Sequence, residues 1–318
     1  MSTSARVGVV VLTYNSASDL PACLDGLFRQ RGADIRIIVV DNASIPENRT
    51  AMEATFLEHA PDGPVIDAAA ASPTMIENNR AVFIRNSRNA GYSAGNNIGA
   101  RLAVGAGCEA ILIVNPDVRI DDPDYVTRLA ELIVADPKTA VACSRLTNLS
   151  GAQENPMTEP GFVEELFWPV KMLIAGLLRF RPSVVPLSGR PIRVQKVSGA
   201  CFLIRTDFLQ QIGFFDESVF LYCEESILQA QVRATGWHMI MDPELHALHA
   251  HRVSTKGNPL SRFQAWADSR RQFHKAYGGY GKIRQSMLAG SRRLMLMLVQ
   301  SRAFLQRLWS RSNRSGVS

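Results

Sequence analysis

Five groups of residues combine types and spacings that could do chemistry. Asn115-Pro116-Asp117 closes an apolar run, and the proline keeps the bend between the two polar side chains extended, so both can address one site. An aspartate beside a neutral oxygen ligand suits Mg2+ or Mn2+ bridged to phosphate oxygens. The same three residues could instead form an Asx turn that caps a helix starting near Asp122. Asp41 directly follows Ile37-Ile38-Val39-Val40, where an acid contacts a ribose or base in nucleotide-binding α/β proteins, although Ser44 and Glu47 beside it supply capping chemistry of their own. In NSRNAGYSAGNN (86–97), Gly91 and Gly95 let backbone approach a ligand and lead into a helix N-terminus, where amides favour anions. The run has neither the lysine of a Walker A loop nor the G-x-G-x-x-G spacing. His246, His249 and His251 gather near a strand end, where alternation puts His249 and His251 on one face. Last, FLYCEESIL (220–228) sets Glu224 beside Glu225 at the edge of an apolar run. Acids there would favour the dipole of a starting helix, or divide labour, one holding structure and one acting as general base.

These groups need a scaffold, and the first 145 residues supply one. Short β-branched runs, VGVVVL (7–12), IRIIVV (35–40), AVFIR (81–85), AILIV (110–114) and AVAC (140–143), alternate with helical patterns near 18–31, 94–106 and 123–135. That alternation predicts a parallel α/β sheet, and ligands of such sheets bind at the carboxyl ends of the strands. The first four of these runs end in polar residues: Thr13-Tyr14-Asn15, DNAS (41–44), the 86–97 loop and Asn115-Pro116-Asp117. Residues 60–80 read as a mobile insert and 145–160 as a turn-rich loop. Beyond them, 162–183 is aromatic and aliphatic, and 191–209 reads as strand, glycine turn, strand and a helix capped by Thr206. A helix over 225–236 ends at Gly236, and HMIMD (238–242) and HALHA (246–250) read as two short strands.

Composition narrows the class. The chain has 318 residues, 46% of them apolar, enough for one large core or two modest domains. Five dispersed cysteines without C-x-x-C spacing argue against a disulfide framework and a zinc site and suit a reducing cytoplasm. The six-residue apolar run near the N-terminus is too short for a signal peptide or a membrane span, and no stretch of 18 apolar residues occurs. The net charge of +6 is unevenly spread: Ser269 to Ser318 holds eleven Lys/Arg and no acid, leaving 24 basic and 29 acidic residues before it. Within that tail, 282–311 alternates Leu, Met, Phe and Trp with Arg at helical spacing. Such a helix can lie on an anionic membrane, or pack on the body or on a second copy.

Together the motifs resemble glycosyltransferase family 2, the inverting nucleotide-sugar transferases of GT-A fold, and most of all its rhamnosyltransferase-like members in bacterial surface-polysaccharide synthesis. The resemblance rests on VVVLTYNSASDLPACLDGL (9–27), IIVVDNAS (37–44), RNAGYSAGNNIGA (88–100), LIVNPDV (112–118), VSGACFLIRTDFLQQIGFFDESVFLYCEE (197–225) and RATGW with DPELHALHAHRVST (233–255), in family order. It implies a Rossmann-like mixed sheet flanked by helices, with a GT-A domain over 1–256. Within it, the nucleotide-binding half covers about 1–145 and the acceptor half about 146–256, and basic C-terminal helices follow over 257–318.

The resemblance also implies roles. Thr13, Tyr14 and Asn15 would line the nucleobase pocket, with Asp41 on base or ribose, and Asn89, Gly91 and Asn96 would close on the nucleotide sugar. Asp117 corresponds to the metal-binding acid of the D-x-D element, whose first acid is Asn115 here, and His249 would complete the metal site ahead of Ser254-Thr255. Glu225 corresponds to the catalytic base, and Glu224 and Trp237 would face the acceptor. The implied partners are Mn2+ or Mg2+, a dTDP- or UDP-sugar donor and a glycan or lipid-linked acceptor, with no nucleic acid. A homodimer and a peripheral position on the inner face of the plasma membrane fit the basic helices. Where relatives carry Glu-Asp, a further acid and Leu-x-x-Arg, this chain has Glu224-Glu225-Ser226-Ile227-Leu228 with Arg233 downstream. That departure leaves room for an impaired relative that only binds nucleotide sugar or assembles with other enzymes. A sugar nucleotidylyltransferase would need a G-x-G-x-R loop after the first strand, and VVVLTYNS has none.

Overall fold

The computed structural model describes residues 5–177, 189–251 and 259–312. The end of the 162–183 segment, Ser254-Thr255 and the expected boundary at residue 256 lie outside the described residues. In chain order, β1 (Arg6–Thr13) leads to α1 (Leu20–Phe28), β2 (Asp34–Asn42), α2 (Pro46–His59), β3 (Val65–Asp67), a 3-10 turn (Ala68–Ala70), α3 (Pro73–Asn78) and β4 (Ala81–Asn86). Next come α4 (Tyr92–Gly105), β5 (Ala110–Val114), β6 (Val118–Arg119), α5 (Tyr125–Ala135), β7 (Thr139–Asn148), α6 (Phe162–Leu166) and α7 (Trp168–Leu177). The chain continues with β8 (Ile192–Val194), β9 (Cys201–Arg205), α8 (Thr206–Gln211), α9 (Glu224–Ala234), β10 (His238–His249), α10 (Pro259–Ala276) and α11 (Lys282–Ser312). These elements divide into two compact units, residues 1–158, 186–220 and 224–253, and residues 159–185, 221–223 and 254–318.

The first unit is one mixed sheet in the order β3-β4-β2-β1-β5-β9-β7-β10-β6, with β8 paired to β10. β4, β2, β1 and β5 are parallel neighbours, while β9 runs antiparallel to both β5 and β7. Alternation along β1 explains why its run is continuously apolar. Val7, Val9 and Val11 pack under α1, α2 and α5 with Leu24, Phe56 and Leu129, while Val10 faces Ala100, Ala103 and Ile111 on the other side. A strand buried on both faces loses no polar side chain by being apolar throughout.

The registers fix where the strand ends lie. Thr13 stands opposite Asp41, Asn42 opposite Asn86, Val11 opposite Val114, Val114 opposite Cys201, and His249 opposite both Asn148 and Val118. The ends of β1, β2, β4, β5 and β10 and the start of β9 therefore lie on one side of the sheet.

Three expectations change. Residues 60–80 are ordered: β3 extends the sheet beside β4, and α3, with Pro73 in its first turn, buries Ile76. HMIMD and HALHA are a single strand, β10, whose pairing with β7 shifts between Asp242 and His246. Pro243 cannot donate to the ladder, and the Asp242 carboxylate takes the Glu244 and Leu245 amides instead, so the strand bulges and runs on. Thr206 does not cap α8; it is the first helical residue, and its hydroxyl donates to the Cys108 carbonyl at 2.7 Å.

The second unit packs α6, α7, α10 and α11. Its interior holds a charge cluster around Glu165, which is 5% exposed. Arg270 donates to Glu165 at 2.9 and 2.7 Å, His274 Nε2 lies 3.0 Å away, and Arg292 of α11 lies at 3.3 Å. Burial pushes the Glu165 carboxyl up, but the His274 and Arg270 hydrogen bonds outweigh it and hold it below its usual value. Buried charges persist where such pairing satisfies them. The apolar face of α11 accordingly turns inward at Leu288 and Met295, while Val170, Met172, Leu173 and Ile174 of α7 stay exposed.

Candidate active site

At the end of β1, Thr13 is buried and its hydroxyl donates to the Val40 carbonyl, whereas Tyr14 is exposed. Asn15 adopts φ 54° and accepts the Ile45 amide on its side chain. Asp41 is fully enclosed and committed: it accepts the Ser44 amide at 3.1 Å and pairs with Arg49 at 2.7 Å. Its carboxylate thus builds the turn after β2.

The next residue, Asn42, does work that sequence reasoning missed. Its side chain donates to Asn89 Oδ1 at 3.0 Å and to the Gly91 carbonyl at 3.2 Å, and accepts from Asn86 at 2.8 Å. Asn89 also accepts the Gly91 amide, so the loop before α4 is stitched to the end of β2. Gly91 is required here: with φ 107°, a Cβ would stand 2.3 Å from the Phe220 carbonyl oxygen, which in turn accepts the Tyr92 amide at 2.9 Å. Asn96 donates to the Tyr92 carbonyl, but its buried Oδ1 has no partner. Asn97 clamps Phe215 from both sides, donating to its carbonyl and accepting its amide. The only signal for either asparagine was its place inside a polar loop.

Beyond β5, the Asn115 amide donates to the Ala200 carbonyl at 2.8 Å. Asp117 does not cap a helix. Its carboxylate faces two histidines, His249 Nε2 at 3.3 Å and His251 Nδ1 at 3.1 Å, and the ligand atoms of all three lie within 4.8 Å of one another. His249 Nδ1 meets Glu154 Oε2 at 2.6 Å. Burial lowers the His249 pKa, but Asp117 and Glu154 outweigh it and raise it to about 9. Burial raises Asp117, and His249 and His251 more than reverse that. Neither His251 nor Glu154 was expected as part of the cluster; β-alternation pointed to His251, but nothing in the sequence linked Glu154 to a histidine 95 residues away. His246 faces Thr147 instead.

Glu225, in the first turn of α9, has its Oε1 3.4 Å from the Gly199 amide. Gly199 precedes Ala200, so the segment entering β9 links Glu225 to Asn115. Glu224, the first residue of α9, is half-buried. Its Oε2 is closed off from solvent without a partner, and the side chain lines a small space with Glu225, Tyr92, Val197, Gly199, Phe202, Phe215 and Leu228. Trp237 is not brought to the site. It precedes β10, a 12-residue strand, at the end opposite His249, roughly 35 Å of strand away. There it packs on Phe208 and donates to Gln211.

A statistical model of the glycosyl transferase family 2 domain matches residues 8–213, well over half of the chain. The chain belongs to glycosyl transferase family 2. It is a glycosyltransferase, and its curated relatives include sugar transferases. The low-salt glycan biosynthesis hexosyltransferase Agl10 of Haloferax volcanii is 23% identical over 273 residues, 84% of this chain and 74% of that protein. The N-acetylglucosaminyl-diphospho-decaprenol L-rhamnosyltransferase of Mycobacterium tuberculosis is 26% identical over 163 residues, about half of each protein (49% and 51%). Among solved structures, the mannosyltransferase PcManGT from Pyrobaculum calidifontis, in complex with GDP-Man and Mn2+, matches 100% of this chain and 82% of its own with a TM-score of 0.56 at 16% identity. That likeness shows the GT-A fold: a mixed sheet flanked by helices, with further helices at the C-terminal end.

Asp117, His249 and His251 of this glycosyltransferase suit a divalent ion by their chemistry. Asp117 Oδ1 is buried, and the nearest ring nitrogen, His249 Nε2 at 3.3 Å, is itself a potential ligand atom, so the oxygen keeps lone pairs to offer. One carboxylate with two imidazoles suits Mn2+ better than Mg2+, which prefers oxygen. Glu154 on His249 Nδ1 stands where an outer carboxylate would orient a ligating imidazole, with Nε2 turned toward Asp117.

Proposed function

We propose that this glycosyltransferase moves a sugar, with inversion, from a nucleotide-diphosphate sugar to a hydroxyl of a glycan or lipid-linked acceptor in cell-surface polysaccharide synthesis. The observation that carries the reading is the gathering of Asp117, His249 and His251 on the sheet edge where Glu225 meets Gly199. Glu225 is the general base in this reading: it takes the proton of the acceptor hydroxyl as that oxygen attacks the anomeric carbon. Asp117, His249 and His251 hold the divalent ion, which when bound offsets charge on the departing diphosphate. Thr13, Tyr14, Asn15, Asn89, Gly91, Asn96 and Asn115 line the donor side. Asp41 acts there through the turn it holds, since its carboxylate is spent on Ser44 and Arg49.

A hexose or deoxyhexose such as rhamnose on dTDP or UDP is the proposed donor, supported by the hexosyl- and rhamnosyltransferase names of the curated relatives. The structural neighbour's GDP-Man makes GDP a third nucleotide to test. Contact with an anionic membrane face is supported by the basic residues from 269 onward other than the buried Arg270 and Arg292, and by the exposed apolar side chains of α7. None of the described helices is long and apolar enough to cross a membrane.

A panel of dTDP-, UDP- and GDP-sugars, scored by thermal stabilisation with Mn2+, identifies the donor. With that donor, Glu225→Gln is expected to lower turnover by about 10²- to 10⁴-fold while donor binding persists. Retained turnover with lost binding overturns the assignment of the base.

A further inference from the structure

Glu224 and Glu225 are neighbours in sequence and line one small space, but they differ in their partners. Glu225 reaches the Gly199 amide. Glu224 lines a small space together with Glu225, Tyr92, Val197, Gly199, Phe202, Phe215 and Leu228, and among the described residues no Lys, Arg or His lines it. Its Oε2 is shut off from solvent and receives no hydrogen bond. The one hydroxyl in the wall, on Tyr92, already donates to the Gly199 carbonyl at 2.5 Å. An ionised carboxylate at Glu224 would lack both solvent and a donor at Oε2, and would sit beside a second acid. A neutral carboxylic acid avoids both penalties and still fills the space.

We propose that Glu224 is a positioning residue: a neutral carboxylic acid that seats the start of α9 against an apolar wall and leaves the single negative charge of the pair on Glu225. The idea rests on the reading of Glu225 as base and goes beyond it, because it explains how two adjacent acids yield one poised carboxylate. Two titratable groups face Glu224 among the described residues, Glu225 from its own helix and Tyr92 from α4; the segments around Val197–Phe202 and Phe215 face it with apolar side chains. Burial first, and Glu225 second, push the Glu224 carboxyl up to about 8.

The sign of the pH effect follows. In the unfolded chain a glutamate ionises near about 4.3, while in the folded protein Glu224 keeps its proton to about 8. Folding therefore retains a proton that the unfolded chain releases, and stability falls as pH rises through that window. Glutamine at this position does not titrate. The melting temperature of Glu224→Gln minus that of the wild type is thus expected to be near zero at pH 5 and to climb by several degrees by pH 9. Glu224→Met, which fills the space without a polar atom, is expected to show the same climb. In a Glu225→Gln background the climb should shrink and shift to lower pH, because Glu224 then ionises without a charged neighbour.

A difference that is flat with pH, or that falls, overturns the proposal, as does a climb unaffected by Glu225→Gln. These melting curves need no substrate, so they stand apart from the turnover test of Glu225. If Glu225→Gln keeps full turnover while the melting curves behave as expected, the base assignment fails and the neutral acid remains.

Discussion

Replacing Gly91 by alanine tests whether the loop before α4 sets the position of the segment leading to Glu225. A Cβ at this position would stand 2.3 Å from the Phe220 carbonyl oxygen and 2.9 Å from its Cα. Ordinary contact begins near 3.4 Å, so the two backbones must part by about 1 Å. The movement breaks the 2.9 Å bond from the Tyr92 amide to the Phe220 oxygen, whose loss costs about 1 kcal/mol. It also forces a side chain onto φ 107° with ψ −179°, a glycine-only conformation that costs about 1–3 kcal/mol. Together these predict a loss of about 2–4 kcal/mol of stability. Because Phe220 lies four residues before α9, a displacement of about 1 Å there is expected to lower turnover by about 10²-fold. Gly107→Ala is the control: φ is 73°, but nothing lies within 4 Å of its Cβ, so it carries backbone strain alone. Thermal melting and donor turnover are measured on both variants. If Gly91→Ala loses no more activity than Gly107→Ala, the contact with Phe220 does not position the base.

Two further outcomes are expected. Glu154→Gln weakens the carboxylate that orients His249, and should lower Mn2+ affinity by about 10- to 100-fold by calorimetry, with Asp117→Ala lowering it further; equal affinity in all three proteins refutes the cluster as a metal site. Changing Leu173 and Ile174 on α7 to aspartate should reduce sedimentation with anionic vesicles at low salt, and undiminished sedimentation sinks the membrane contact proposed for that helix.

The sheet was readable because its strands are buried on both faces. VGVVVL, IIVV and AILIV need no polar alternation, and the polar residues that end each run mark the edge where the loops emerge. The GT-A arrangement and the family followed from the order of those loops. What could not be read was direction. Asp41 sits at the strand end where an acid was expected, but Arg49 in the first turn of α2 captures the carboxylate. Trp237 follows Gly236 in a motif that resembled an acceptor wall, yet it stands at the start of a long strand whose far end carries His249. The bulge at Asp242 hides that continuity, since Pro243 looks like a break.

The acid pair shows why spacing alone cannot divide roles. At a helix start, residues i and i+1 point about 100° apart, so one of two adjacent side chains can face a polar strand end while the other faces the core. Which does which is set by partners distant in sequence: in the space both acids share with Phe202, Phe215 and Leu228, the Gly199 amide draws Glu225 Oε1, while Glu224 Oε2 is buried without a partner. A second charge in that apolar space would oppose the first. In the proposed reading Glu225 carries the pair's single charge, and the buried, unpartnered Oε2 of Glu224 beside a second acid favours the neutral form there.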